Sequence, residues 1–308
     1  MHSVIDILRA RAARGSRAPH DDGARVALCV EGGAMRGVIS AGMVSALETL
    51  GLTEAFDIVY GSSAGAINAA YFLAAQARLG TTIYYEDINN RRFIDLRRAF
   101  TSRSIVNLTF LFDEVLDRTK RLDTDSVLRS PSRLVVMATD VATESALAMR
   151  SLGGRRELLA ALRASATMPV VAGPPAEVGG HQLLDASLTE PIPVPTAEAD
   201  ACTHALVLLT RTGGMRPRAS AFDRYFVAPR LHRLSPGLAA RYLERAGPYT
   251  TLIRSIHAGR SPGGQTEVLG IRVDDLRIGK LECHGDILRD GAQRGYGAVV
   301  AAFNGAAM

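Results

Sequence analysis

Residues 56–79 read FDIVYGSSAGAINAAYFLAAQARL. Phe56 to Tyr60 is a short run of β-formers, the next five residues are small, and Ala66 to Leu79 is apolar and free of Pro. That pattern predicts a buried strand, a tight turn at Gly61-Ser62-Ser63-Ala64-Gly65, and a buried helix over 66–79. The same rhythm stands one unit earlier. Arg25 to Val30 (RVALCV) is a short β-rich run, followed by Glu31-Gly32-Gly33-Ala34-Met35-Arg36-Gly37. Val38, Met43, Val44, Leu47 and Leu50 then recur at helical spacing up to Gly51, a helix-stop residue. Two strand–loop–helix units in tandem predict a parallel α/β sheet.

The remaining elements extend this pattern. Strands are predicted at Leu134–Thr139, His181–Asp185, His204–Leu209 and Glu267–Val273, with Ser145–Arg150 returning beside the first as a hairpin. Helices are predicted over Glu157–Ala166, ending before Pro169, and over Asp286–Phe303. Residues 80–130 and 211–265 read as polar, Arg-rich and helical. We expect a polar N-terminal extension with a loose helical lead at 1–24, a core at 25–215, and a C-terminal helical and strand extension packed on it at 216–308.

The chain has 308 residues, 47% of them hydrophobic and 22% charged, which excludes disorder, collagen and coiled coil. Cys29, Cys202 and Cys283 are widely separated, so no metal-ligand spacing and no disulfide framework is expected, as in a reducing cytoplasm. The longest apolar run near the N-terminus is too short for a signal peptide, and no run reaches the ~18 residues of a membrane span. A cytoplasmic protein is expected, with peripheral contact at a membrane left open. The net charge is +5, and only Lys120 and Lys280 of the 36 basic residues are Lys, so the Arg content reads as coding bias. The arginines are dispersed and no nucleic-acid motif is present, so no nucleic-acid partner is expected.

Gly61-Ser62-Ser63-Ala64-Gly65 is a G-x-S-x-G at a strand-to-helix turn. There a nucleophile elbow needs small residues two before and two after the serine. Ser63 is the expected nucleophile, with Gly61, Ala64 and Gly65 forming the elbow. Residues Gly32, Gly33, Ala34, Met35, Arg36 and Gly37 form the second loop. Without G-K-[ST] it is no Walker A loop, and Ala34 breaks G-x-G-x-x-G. Beside a nucleophile elbow it reads as an oxyanion hole, in which backbone N–H groups hold developing negative charge. Arg36 could orient that loop or a phosphate head group, or form a surface ion pair. The base is less plain. His204 starts an apolar strand and reads as structural, and His181 sits in an expected turn. His2, His20, His232, His257 and His284 carry no flanking signal. Asp185 ends a short strand before Ala186 and Ser187 and is the better candidate, forming a Ser–Asp dyad with Ser63.

E-G-G-A-M-R-G at 31–37, G-S-S-A-G at 61–65 and D-A-S at 185–187 together resemble the patatin-like phospholipase family, in its bacterial branch with an E-G-G-G-M-R-G motif. RASATMP at 163–169, EPIPV at 190–194 and LTR at 209–211 agree. The likeness covers residues 25 to about 215 well. It implies a three-layer α/β/α sandwich with a mostly parallel sheet and no metal or cofactor. It also implies Ser63 as nucleophile, Asp185 as base, and hydrolysis of an acyl-ester or phospholipid substrate. Ala34 and Ala186 stand where the pattern has Gly; if position 34 needs φ > 0, an Ala there costs about 1 kcal/mol. Three alternatives stay open at this point: acyl transfer by the same dyad, lipid binding without turnover, and a Ser-His-Asp triad. The oligomeric state stays open as well. Between residues 91 and 112, Phe93, Ile94, Leu96, Phe100, Leu108, Phe110, Leu111 and Phe112 are interleaved with Arg. They read either as a lid or lipid-facing surface, or as a helix packed on the sheet.

Overall fold

A computed structural model describes residues 2–101, 103–169, 171–211 and 219–305. Eight strands form one sheet: β1 (Val26–Val30), β2 (Ile58–Ser62), β3 (Arg133–Asp140), β4 (Ser145–Met149), β5 (Ala176–Val178), β6 (His181–Asp185), β7 (His204–Leu208) and β8 (Glu267–Ile271). The order is β5-β6-β3-β2-β1-β7-β8, with β4 paired to β3 off this path. β3, β2, β1, β7 and β8 are mutually parallel, whereas β4, β5 and β6 run antiparallel to their neighbours. The helices are α1 (Ser3–Arg14), α2 (Gly37–Thr49), α3 (Ala64–Leu73), α4 (Ala77–Glu86), α5 (Thr124–Arg129), α6 (Arg155–Ala166), α7 (Val194–Ala199), α8 (Ala228–Leu234), α9 (Pro236–Glu244), α10 (Ala246–His257) and α11 (Gly285–Asn304).

Alternation along β1 fixes the layers, because successive side chains of a strand point to opposite faces. Val26, Leu28 and Val30 join the core beneath α2, α3, α4 and α11, while Ala27 and Cys29 join that beneath α7 and α10. Both faces are covered, as a parallel sheet requires. The fold is the three-layer α/β/α sandwich with a mostly parallel sheet.

Two local readings need correction, and a third, left open between two alternatives, is decided. The helix expected over 66–79 is two helices. Ala75 turns at φ 53°, and the Glu48 carboxylate from α2 accepts the free Ala77 N–H at 2.8 Å, capping α4 where α3 has ended. The helical lead is not loose. Val4, Ile5 and Leu8 of α1 are buried in the main core, and Arg11 is fully buried beside them. The apolar residues of 91–112 are mostly interior: Phe93, Ile94, Leu108, Phe110, Leu111 and Phe112 are buried. Leu96 alone of that set is exposed, and the Phe100 side chain lies outside the described part, as do residues 212–218 of the Arg-rich segment. Of the interleaved arginines, Arg92 pairs with Glu114 and Arg98 donates to the carbonyls of Arg91 and Arg92, while Arg163 of α6 pairs with Asp113 in the same segment.

Candidate active site

Ser63 sits where β2 meets α3, with φ 55° and ψ −127°. A non-glycine residue held there is strained by about 1–3 kcal/mol, which persists only where the surroundings enforce it. Here they do. A Cβ on Gly61 would stand 2.3 Å from the Ala66 Cα, and one on Gly65 would stand 2.4 Å from the Val30 carbonyl oxygen. Both elbow positions therefore exclude any side chain. The Ser63 N–H donates to Ser165 Oγ at 2.8 Å, and that hydroxyl donates to the Met137 carbonyl. The neighbouring Ser62 hydroxyl donates to the Glu190 carbonyl at 2.9 Å.

Asp185 ends β6 and faces this elbow. Ser63 Oγ donates to Asp185 Oδ2 at 2.7 Å, and Asp185 Oδ1 accepts the Ser187 N–H at 2.8 Å. The Asp185 backbone is pinned too: its N–H donates to the Thr167 carbonyl and its carbonyl accepts the Thr139 hydroxyl, each at 2.9 Å. Ser63 and Asp185 are 7% and 4% exposed, so their bond is shielded from competing water. A hydroxyl held on a carboxylate at this distance is set for proton transfer. Ala186 follows fully buried and is not among the residues with positive φ, so the Ala in place of Gly is unstrained.

The 32–37 loop lies against the elbow; a Cβ on Gly32 would meet the Ser62 carbonyl oxygen at 2.4 Å. Within it, the Met35 N–H donates to the Lys280 carbonyl, the Arg36 N–H to the Gly33 carbonyl, and the Gly37 N–H to the carbonyls of Ala34 and Met35. Among the described residues the N–H groups of Gly33, Ala34 and Ala64 have no such partner. Ala34 adopts φ 52°, a region in which Ala is strained and Gly is not. Ala34→Gly is expected to stabilise the fold by about 0.5–1 kcal/mol, the relief of strain less the greater freedom of Gly in the unfolded chain. Chemical denaturation checks this, and a loss of stability would contradict it.

Several contributors were given no role by the sequence or only an open one. Glu31 is buried, and its carboxylate accepts the Tyr249 hydroxyl of α10 at 2.8 Å and the Thr210 N–H at 2.6 Å. The Thr210 hydroxyl donates to the Gly32 carbonyl at 2.7 Å, so the start of the loop is tied to the end of β7. Burial, then the Glu31 charge, hold the Tyr249 phenol well above its ordinary range. Arg211 lies over the Tyr249 ring, 5.3 Å from its centroid. The Nε atoms of Arg36 and Arg211 are both buried without a hydrogen-bond partner. Arg36 forms no ion pair among the described residues. Burial and then repulsion from Arg211 lower its pKa.

These groups border one cavity of ≈ 300 Å³, whose walls include Ser63, Asp185, Arg36 and Arg211. Its far side is apolar, with Ile67, Ile83, Phe93, Ile94, Leu108 and Leu111. Those from 91–112 thus form a cavity wall instead of a lipid-facing helix. None of the 7 histidines lines it. His181 begins β6, at the first residue of the strand expected over 181–185, and pairs with Asp140, His204 bonds the Thr203 hydroxyl, and His284 bonds Glu282. Among the described residues no group of three or more His, Cys, Asp or Glu converges as a metal site.

The patatin-like phospholipase family model matches residues 28–198, more than half of the chain and the segment that holds both Ser63 and Asp185. The chain belongs to the patatin-like phospholipase family. The uncharacterized protein YjjU of Escherichia coli (strain K12) is 25% identical over 187 residues, which are 60% of this chain and 52% of YjjU. The patatin-like chain thus spans about half the length of that relative. Among solved structures, VipD from Legionella pneumophila aligns with a TM-score of 0.48 at 9% identity, covering 92% of this chain and 67% of VipD. Human GIVD cytosolic phospholipase A2, in complex with methyl gamma-linolenyl fluorophosphonate, aligns at 0.36 and 12% identity, covering 98% and 62%.

Proposed function

We propose that this patatin-like chain is a serine acyl hydrolase for lipid esters, working through a Ser63–Asp185 dyad. The observation that carries the reading is the 2.7 Å bond from Ser63 Oγ to Asp185 Oδ2, made from a strained elbow at the wall of a largely apolar cavity. Ser63 Oγ attacks the ester carbonyl carbon as its proton passes to Asp185 Oδ2. The carbonyl oxygen becomes an oxyanion, held by the N–H groups of Gly33 and Ala34, with that of Ala64 as helper. One such donor is worth roughly 2.7–4 kcal/mol. The positive end of α3 adds to this field. Collapse expels the alcohol, which takes the proton from Asp185. Water then attacks the acyl-serine while Asp185 accepts its proton, and the second collapse releases the carboxylic acid and restores Ser63.

Arg36 and Arg211 support a finer reading, an ester that carries a phosphate. Arg36 and Arg211 both line the cavity while the nearby Glu31 carboxylate is already engaged, which leaves positive charge for an anionic ligand to match. The loop at 31–37 supports placement in the bacterial branch with the E-G-G-G-M-R-G motif. Tyr249 reaching Glu31 supports a C-terminal extension, 216–308, that serves a catalytic core at 25–215, with 1–24 as an N-terminal extension.

The test is release of fatty acid from a phospholipid and from a neutral acyl ester. Wild type is expected to release it from both, and Ser63→Ala from neither. Arg211→Gln is expected to raise KM about 10-fold or more for the phospholipid, the loss of one charge-assisted hydrogen bond, and to leave the neutral ester within about twofold. Retained turnover in clean Ser63→Ala would overturn the hydrolase reading. Acyl transfer uses the same dyad; acyl product that goes to an added alcohol in preference to water would replace hydrolysis with it.

A further inference from the structure

We propose that the exposed face of residues 222–234 docks on an anionic lipid surface and presents the mouth of the cavity to it. The inference rests on the reading of the cavity as an acyl-ester site. Large apolar side chains cluster on this short segment: Phe222 is 50% exposed, Tyr225 75%, Phe226 52% and Leu234 38%. The Phe222 and Phe226 rings stack at 5.3 Å, so they form one apolar ridge. The opposite face is anchored, because Val227, Ala228 and Leu231 are buried against Leu184, Leu188 and Leu238. The ridge is therefore not a misplaced core face. It belongs to a segment whose inward side is already satisfied.

The exposed charge of the segment itself has one sign. Arg224, Arg230 and Arg233 are exposed on the same segment. Asp223 is the one acid between residues 219 and 243, and it is turned inward onto Arg245 and the Tyr242 hydroxyl. Aromatic rings flanked by arginine, on a segment with no exposed carboxylate of its own, match a bilayer interface. The rings enter the boundary of head groups and acyl chains while the guanidinium groups meet lipid phosphates. Position adds to chemistry. Phe222 also lines the cavity that holds Ser63 and Asp185, so a lipid leaving the bilayer beneath this ridge enters beside the dyad. Among the described residues no helix is long and apolar enough to cross a membrane.

The experiment is co-sedimentation of the full chain with vesicles of phosphatidylcholine alone, or of phosphatidylcholine and phosphatidylglycerol in equal parts. Turnover of a short-chain soluble ester is followed in parallel. Wild type is expected to bind the mixed vesicles at least about tenfold better than the neutral ones, and high salt removes the difference. The double variant Tyr225→Ser with Phe226→Ser, and the triple variant Arg224→Gln, Arg230→Gln and Arg233→Gln, are each expected to lose binding. Each arginine accounts for about fivefold. Both variants are expected to keep soluble-ester turnover within about twofold, which also shows that they fold. Ser63→Ala is expected to bind as wild type does. Variants that bind like wild type, or wild type that ignores the anionic lipid, overturn the proposal. Self-association through this face with no vesicle binding also overturns it. Vesicle binding that depends on these residues, in a chain that turns over no ester, supports the surface and overturns the hydrolase reading. Ester turnover without such binding does the reverse.

Discussion

Asp185→Asn is expected to lower ester turnover by at least about 10⁴-fold without unfolding the chain, as loss of a catalytic base does in other serine hydrolases. The side chains match in size, and an Asn Oδ1 still accepts the Ser187 N–H that Asp185 Oδ1 holds at 2.8 Å. The other end changes its nature. Where Asp185 Oδ2 accepts from Ser63 Oγ at 2.7 Å, Asn presents an NH2 that donates and takes up no proton. The nucleophile keeps its position and loses its base, so kcat falls far more than KM rises. Steady-state kinetics on a short-chain ester, with circular dichroism as the folding control, measures this. A folded variant within about tenfold of wild type would show that another group takes the proton. With no histidine at the cavity wall, that group would have to come from elsewhere in the fold.

The second large effect lies far from the dyad. Arg11→Met is expected to destabilise the fold by about 3 kcal/mol, because it leaves the buried Ala55 carbonyl and two part-buried carboxylates without the cation they face. Arg11 is 2% exposed and spends its guanidinium fully. Nε and Nη2 donate to the two Asp22 oxygens at 2.7 and 2.8 Å, Nη1 donates to Asp57 Oδ2 at 2.9 Å, and the carbonyls of Ala55 and Ala24 are held at 2.8 and 2.7 Å. Asp57 Oδ2 also accepts the Val26 N–H at 2.7 Å, so one side chain locks α1, the linker after it and the starts of β1 and β2. Urea denaturation gives the change directly. Acid reports the same contact. The Arg11 hydrogen bond holds the Asp22 carboxyl well below its ordinary range. A group with a depressed folded pKa gives stability that is present above its unfolded value, about 3.9, and lost as pH falls toward the folded one. Wild type should therefore lose stability below about pH 4 more steeply than Arg11→Met. Equal slopes would contradict the assignment.

Much of the architecture was legible because its causes are local. β1 and β2 are short β-rich runs, each followed by a small-residue turn and an apolar helix, and the elbow glycines are fixed by close backbone approach. That Ser63 and Asp185 meet was legible from their places at strand ends together with the motifs around them. The break between α3 and α4 was not legible, since the cap on Ala77 comes from Glu48, about 30 residues away. Nor was β5, three residues paired to β6, because a strand that short has no periodicity to read. The anchoring of α1 depends on Arg11, and nothing in a single arginine tells a buried clamp from a solvated charge. Ser165, Glu31, Thr210 and Tyr249 likewise act through contacts made only once the sheet has assembled. The apolar residues of 91–112 show the limit of periodicity: it marks a face that must be covered and leaves open whether protein or lipid covers it. At 91–112 the cover is the protein's own interior, and the uncovered apolar face lies at 222–234.

The most direct measurement is the intact mass of wild type and Ser63→Ala after exposure to a fluorophosphonate. Such a probe becomes covalent only where an activated serine meets an assembled oxyanion hole. One adduct on wild type and none on Ser63→Ala is the expected result, with Asp185→Asn labelled far more slowly. An adduct that persists in Ser63→Ala, or none on a folded wild type, would contradict the Ser63–Asp185 dyad.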